Sequence, residues 1–345
     1  MKHMKLETQT GISRIYIDEP VKNLSRYVPN AKTVFVTDEK VFNLYSDLFP
    51  NQNVIQIRRG EHVKTLDTVE RIYRQFLELE VDRFSFIVGI GGGIVCDIAG
   101  FCASTYMRGL HFGFVPTTLV AQVDASIGGK NGVNLMGYKN IIGVIRQPNF
   151  ILVDFSFLKT LPERDFLCGV SEIIKCALIK SKRLFEALEE KQEKFLTQSR
   201  DVFREITAEA IAIKTEVVRR DAEEFGERRI LNFGHTLGHA IEKTANYPHG
   251  EAISIGMSMA SDISVSMGIL SKQDATRIKR LLRKVNLPCQ LSCEVDPLLE
   301  AIKKDKKRSS EEIHFVLLAG IGKGKVVKIS YPELAECIHD LYEHC

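Results

Sequence analysis

Residues 84–100 read FSFIVGIGGGIVCDIAG. FSFIV is continuously apolar, as a strand buried on both faces must be. Gly89, Gly91, Gly92 and Gly93 let the backbone turn tightly and approach a ligand, and a helix beginning at Ile94 would turn its N-terminus, a natural phosphate site, toward that turn. The cluster is not a GxGxxG fingerprint, and a purely structural turn could have the same composition. With the strand-like LHFGFV following at 110–115, the order strand, turn, helix, strand predicts a mostly parallel, Rossmann-like α/β domain.

Upstream, ISRIYI at 12–17 and TVFVT at 33–37 are rich in β-branched residues and read as short strands. Asp38 follows the second, where a carboxylate can meet a nucleotide ribose or simply occupy an exposed turn. Leu66, Val69, Ile72, Phe76 and Leu79 recur at helical spacing and predict a core-facing helix over 66–80. Downstream, residues 115–143 scatter Thr117, Thr118, Asp124, Lys130, Asn134, Lys139 and Asn140 among glycines. That composition suits an irregular segment presenting polar groups, and its lysines and exposed N–H donors suit a phosphate. FILVD at 150–154 reads as a closing strand, with a domain boundary after residue 155, giving domains 1–155 and 156–345.

The second half reads mainly as helix. In GVSEIIKCALI, Glu172 and Lys175 are three residues apart in apolar sequence. Such pairs commonly support a helix, but a carboxylate in this setting needs a cation or a metal. LNFGHTLGHAIE at 231–242 places His235 and His239 four residues apart, and His249 follows in YPHGEA. Imidazoles suit zinc or a similar divalent ion. The pattern is not HExxH, and Glu172 is the best candidate for a further ligand. Amphipathic helices are expected over 201–220, which carries Lys214, and over 272–285, capped by Ser271. The basic run KKDKKR at 303–308 reads as a solvated face able to lend one anion-binding lysine, and strand-like EIHFVLLAGIG and KVVKI follow.

The 345 residues carry a formal charge of +3 from nearly equal acidic and basic totals, so the balance points to neither nucleic acid nor membrane as a partner. Eight cysteines form no CxxC pair, which suits reduced thiols in a cytoplasmic protein. The opening MKHMKLETQ lacks a signal-peptide core, and no run has the length of a membrane span.

Taken together and in order, GIGGGIVCDIAG, VPTTLVAQVDASIGGKNGVN, GYKNIIG, GVSEIIK and LNFGHTLGHAIE followed by HGEA resemble the 3-dehydroquinate synthases of the sugar phosphate cyclase superfamily. The resemblance implies an N-terminal Rossmann-like NAD domain, a mostly helical C-terminal domain, substrate and a divalent metal (zinc or cobalt) between them, and a homodimer. It implies metal ligands at Glu172, His235 and His249, and cofactor contacts at Asp38, Glu61, Lys64, Gly92, Gly93, Asp97, Thr117, Thr118, Leu119 and Lys139. Implied substrate contacts are Asp124, Lys130, Asn140, Lys175, Lys214, Glu224, Arg228, Asn232, His239 and a lysine at 306 or 307, with Arg108 reaching a neighbouring subunit's phosphate pocket. The implied substrate is the phosphorylated, carboxylated sugar 3-deoxy-D-arabino-heptulosonate 7-phosphate. An amino-dehydroquinate synthase and a metal-dependent alcohol dehydrogenase are the alternative readings. Two departures bear on pocket shape: Asn131 stands where the family usually has threonine, and the connection from His239 to His249 is short.

Overall fold

The computed structural model describes residues 2–49, 53–245, 247–291, 294–306 and 312–342. The chain forms two compact units, Met1–Pro162 with Lys214–Glu223, and Glu163–Ile213 with Glu224–Cys345. Relative to the boundary expected after residue 155, the first unit runs on to Pro162 and also takes in Lys214–Glu223.

The first unit contains β1 (Lys2–Thr8), β2 (Gly11–Ile17), β3 (Thr33–Asp38), α1 (Glu39–Leu44), β4 (Val54–Ile57), α2 (Leu66–Glu78), β5 (Phe86–Gly91), α3 (Gly93–Thr105), β6 (His111–Pro116), β7 (Lys130–Leu135), β8 (Tyr138–Ile145) and β9 (Phe150–Val153). Seven strands make one sheet in the order β1-β2-β9-β6-β5-β3-β4. Every pairing in it is parallel except β1 with β2. The chain leaves β3 toward β4 on one side and returns to β5 on the other, so the strand order reverses between β3 and β5. In open parallel sheets that reversal opens a ligand crevice at the carboxyl ends. All six residues of β5 are buried, which explains its unbroken apolar character. The strand begins two residues later than the apolar run suggests and extends into the glycines, because Ile90 and Gly91 still pair with Val115 and Pro116 of β6.

The polar segment 115–143 contains more regular structure than its composition indicates. Ala121–Ala125 forms a short π-helical turn, and β7 and β8 pair as an antiparallel hairpin. Met136 and Gly137, with φ of 49° and 80°, make its two-residue turn between the paired Leu135 and Tyr138. Asn131 is buried on β7, donating its amide to the carbonyls of Gly129 and Arg146 at 2.7 and 3.0 Å. A Cβ at Gly100 of α3 would lie 1.9 Å from the Asn131 Oδ1, so hairpin and helix meet where only glycine fits. Asn131 is thus a packing residue with its amide committed.

The second unit is built on α4 (Glu163–Lys180), α5 (Lys182–Leu196), α6 (Arg200–Arg220), α7 (His235–Ala245), α8 (His249–Ser266), α9 (Lys272–Lys284) and α10 (Val295–Lys306). The hairpin β10 (Glu312–Leu318) and β11 (Gly324–Ser330) and helix α11 (Tyr331–Tyr342) complete it, while the last turns of α6, from Lys214, belong to the first unit. α4 and α8 are buried along most of their length, and so lack the polar stripe of a surface helix. The buried hydroxyls of α8 are all bonded: Ser254 and Ser258 donate to the carbonyls of Pro288 and Cys289 at 2.6 and 2.7 Å. Ser261 and Ser264 bond back to Met257 and Ala260 of the helix itself. Ser271 caps α9 through the N–H of Asp274, as its position suggests. No described helix is long and apolar enough to cross a membrane.

Candidate active site

In the first unit the expected cofactor residues collect around the carboxyl ends of the strands. Asp38 closes β3 and caps α1, its Oδ1 accepting from the N–H groups of Lys40 and Val41, both at 3.0 Å. Gly92 caps α3 with no side-chain hydrogen bond, and Gly93 opens the helix. The first turn of α3 therefore lacks a competing side-chain acceptor, the arrangement a pyrophosphate uses. Thr117 is buried just after β6, and the Thr118 Oγ1 accepts from the N–H of Ala121 at 3.2 Å. Leu119 is fully buried in the core, so only its backbone is suited to meeting a polar ligand.

Lys64, 4% exposed, is held between Asp97 and Asn140, donating to the Asn140 Oδ1 at 2.5 Å and pairing closely with the Asp97 carboxylate. Burial pushes the Asp97 carboxyl from 3.8 to about 6, against the pull of Lys64. Asn134 extends the network, donating to Glu61 at 2.7 Å and accepting from the Asn140 N–H at 2.8 Å. Asn140 adopts a left-handed φ of 55°. Lys214 donates to the Asp124 Oδ1 at 2.7 Å, joining two further expected residues. Lys130, Lys139 and Arg108 are exposed.

In the second unit Glu172 and Lys175, both 1% exposed, form an ion pair within α4. The Glu172 Oε1 lies 3.6 Å from the His235 Nε2 and 3.3 Å from the His249 Nε2. The Nδ1 of His235 faces the Phe233 carbonyl at 3.2 Å, a partner for the N–H tautomer that leaves Nε2 as the acceptor. Burial, then the Lys175 charge, drives His235 down to about 3, so it is neutral as a metal ligand must be. Burial opposes the charge on Glu172, but Lys175, and after it the charged His249, outweigh it and hold the carboxyl well below its ordinary range. Half-buried His249 goes the other way: partial desolvation lowers it, but hydrogen bonds to Glu172 and Glu242 outweigh that and lift it to about 9.

The potential ligand atoms of Glu172, His235 and His249 all lie within 4.8 Å of one another. Tetrahedral zinc with bonds of about 2.05 Å spaces its ligand atoms by about 3.3 Å, so the three residues fit such an ion with small movements.

His239, Glu242 and His249 form a second, overlapping group. The rings of His235 and His239 approach to 5.3 Å, as their spacing on one helical face predicts. Glu242, 3.4 Å from the His249 Nδ1, was not singled out in the sequence. Its signal was its place three residues after His239. Asn232 donates to the Glu224 Oε1 at 2.5 Å, and Arg228 is buried. Lys306 ends α10, and Lys307 lies outside the described residues.

The family model described as 3-dehydroquinate synthase N-terminal matches residues 54–168, and that described as 3-dehydroquinate synthase C-terminal matches residues 169–308. The chain is 43% identical over 282 residues to a 3-dehydroquinate synthase of Sulfurovum sp., covering 81% of this chain and 79% of that one. It is 39% identical over 333 residues to a 3-dehydroquinate synthase of Thermodesulfovibrio yellowstonii, covering 92% and 93%. Among solved structures, 2-epi-5-epi-valiolone synthase from Streptomyces hygroscopicus subsp. jinggangensis, with NAD+ and Zn2+ bound, is similar with a TM-score of 0.87 at 26% identity, covering 100% of this chain and 99% of that one. With two adjoining family models and relatives matched over most of both chains, the protein belongs to the 3-dehydroquinate synthase family.

Proposed function

We propose that the chain is an NAD- and divalent-metal-dependent lyase converting 3-deoxy-D-arabino-heptulosonate 7-phosphate into 3-dehydroquinate and phosphate. The observation that carries this reading is the buried Glu172–Lys175 pair facing His235 and His249, within a chain matched by both family models. Residues 1–155 act as the NAD domain and residues 156–345 as the metal and substrate domain. Glu172, His235 and His249 hold the ion. Asp38, Glu61, Lys64, Gly92, Gly93, Asp97, Thr117, Thr118, Lys139 and the Leu119 backbone hold the dinucleotide. When bound, the ion supplies Lewis-acid polarisation of the C5 oxygen, and the dinucleotide supplies a hydride acceptor at C5 that later returns the hydride.

The protein's own groups orient and stabilise. Lys175 places a fixed positive charge beside the ion's ligands, where negative charge develops on the C5 oxygen. Oxidation at C5 acidifies the C6 proton, and the substrate's phosphate accepts that proton as its own C7–O bond breaks, so no strongly basic side chain is needed. Lys130, Asn140 and Lys306 or Lys307 grip the phosphate, and Arg108 reaches the phosphate pocket of the second subunit in a homodimer. Lys214 and Arg228 pair with the carboxylate, the guanidinium being able to bind it through two parallel hydrogen bonds. Asp124, Glu224, Asn232 and His239 orient the hydroxyls through ring opening and the closing aldol step. We place the enzyme in the cytoplasm.

The test supplies purified enzyme with substrate, zinc or cobalt, and NAD far below the substrate concentration. Phosphate release should exceed the NAD supplied, absorbance from NADH should return to baseline, and mass spectrometry should identify 3-dehydroquinate. Stoichiometric accumulation of NADH would mark an alcohol dehydrogenase. Turnover confined to neutral sugar phosphates would mark another cyclase, and sedimentation velocity tests the dimer.

A further inference from the structure

At the amino ends of the sheet, opposite the strand ends that carry Gly91 and Asp38, the first unit opens a cavity of about 730 Å³. Phe86, His111 and Phe150, the first residues of β5, β6 and β9, line it. Counting five steps along β5 at about 3.3 Å each, Phe86 lies roughly 16 Å from Gly91, so the cavity is separate from the crevice at the carboxyl ends.

The floor is aromatic. Half-buried Tyr16 and Tyr27 approach to 4.3 Å between ring centroids and pack on the core pair Phe86 and Phe150, each 3% exposed, which stack at 5.9 Å with planes 2° apart. Phe84, also in the lining, is 85% exposed, an apolar ring left to solvent at the cavity.

The rim is cationic. Exposed Arg14, Arg26 and Arg83 line the cavity, and no aspartate or glutamate does. None of the three guanidinium groups forms an ion pair among the described residues, whereas Arg74, Arg164 and Arg277 all sit on carboxylates. Two nearby acids are engaged elsewhere: Glu19 accepts from the Tyr27 hydroxyl and the Asn23 amide, both at 2.9 Å, and Asp82 accepts from Ser85 and from the Phe84 N–H.

Three exposed guanidinium groups around one cavity give it a rim that attracts anions. Guanidinium pairs bidentately with carboxylate or phosphate and also stacks on flat rings. The volume is within the range of about 300–1,000 Å³ that small-ligand sites occupy. We propose that this cavity is a second ligand site, taking a small flat-ring dianion in which an aromatic or conjugated ring lies against the accessible rings of Tyr16, Tyr27 and Phe84 and carboxylate or phosphate groups meet the arginines. The proposal is independent of the reaction assigned above and uses none of its residues.

The test titrates full-length protein, saturated with NAD and zinc and in millimolar inorganic phosphate so that the reaction's own anion sites are filled. Isothermal calorimetry is run with benzene-1,4-dicarboxylate and with phenyl phosphate, and the tighter of the two identifies the preferred anion. Cyclohexane-1,4-dicarboxylate has the charge without the flat ring. At least one ring dianion should bind at one per chain and more tightly than the cyclohexane compound. R14Q and R83Q should each weaken it about tenfold, the scale of one charge-assisted hydrogen bond, with melting temperature, kcat and KM unchanged. Failure of both ring dianions to bind at millimolar concentration overturns the proposal. So does binding that R14Q and R83Q leave intact, or equal binding by the cyclohexane compound.

Discussion

Replacing Glu172 by glutamine separates two roles of one carboxylate. Glu172 and Lys175 are each 1% exposed, so the substitution deprives a buried ammonium of its carboxylate partner. Removing one member of a buried pair costs about 3–5 kcal/mol. If Glu172 is also a metal ligand, wild type gains a further ~2.7 kcal/mol when zinc stands a hundredfold above its dissociation constant, and the variant forfeits that gain. Urea unfolding of wild type, Glu172→Gln, Lys175→Met and the double variant, each with chelator and with zinc, reads both terms. In chelator the single Glu172→Gln change should lose the full amount and the double variant should recover most of it. With zinc, neither should show the wild-type gain. A Glu172→Gln protein within about 0.5 kcal/mol of wild type in chelator would refute the buried-pair argument, and one that gains from zinc as wild type does would refute the ligand assignment.

Asp97 gives a pH signature in the ligand-free protein. Its folded pKa of about 6 lies above the ordinary 3.8, so its contribution to stability is fully present below 3.8 and is lost as pH rises through about 6. Stability relative to Asp97→Asn should therefore fall by about 2 kcal/mol between pH 4 and 7. Carbon-13 NMR of the carboxyl checks this directly, and a midpoint near 4 would contradict it. Gly100→Ala should cost about 1–3 kcal/mol through collision with Asn131, and Asn131→Ser in the same chain should recover part of that. Thermal melts decide, and an unchanged Gly100→Ala melt would remove the packing role given to Asn131. Arg228→Ala should lower kcat/KM for the carboxylated substrate about thirtyfold, or ~2 kcal/mol, in protein shown by circular dichroism to remain folded. Normal turnover would displace Arg228 from the carboxylate.

What could be read from the sequence was whatever a repeating pattern or dense chemistry expressed. The apolar run before Gly89, the helical spacing of Val69, Ile72 and Phe76, and the Ser271 cap all correspond to elements in the structure. Glu172 stood out because a carboxylate in apolar sequence demands a partner, and the structure gives it Lys175 and two histidines. The β7–β8 hairpin was not legible because the first four residues of β8 are exposed in succession, which erases the alternation that marks a strand. Its turn uses Met136–Gly137 in place of the usual Asn-Gly signal. Glu242 was missed for a related reason: a lone carboxylate in the second half of an amphipathic helix looks solvated until the fold brings His249 to it.

The serine contacts of α8 also govern the orientation of His249. Successive residues of an α-helix are offset by about 100° around its axis, so a small roll about that axis carries every side chain sideways together. Ser254 and Ser258, one turn apart, are latched to the consecutive carbonyls of Pro288 and Cys289, and two latches on one side oppose both roll and slide. His249 is the first residue of the same helix, so its bearing toward Glu172 and Glu242 is indexed from a loop about forty residues farther along the chain.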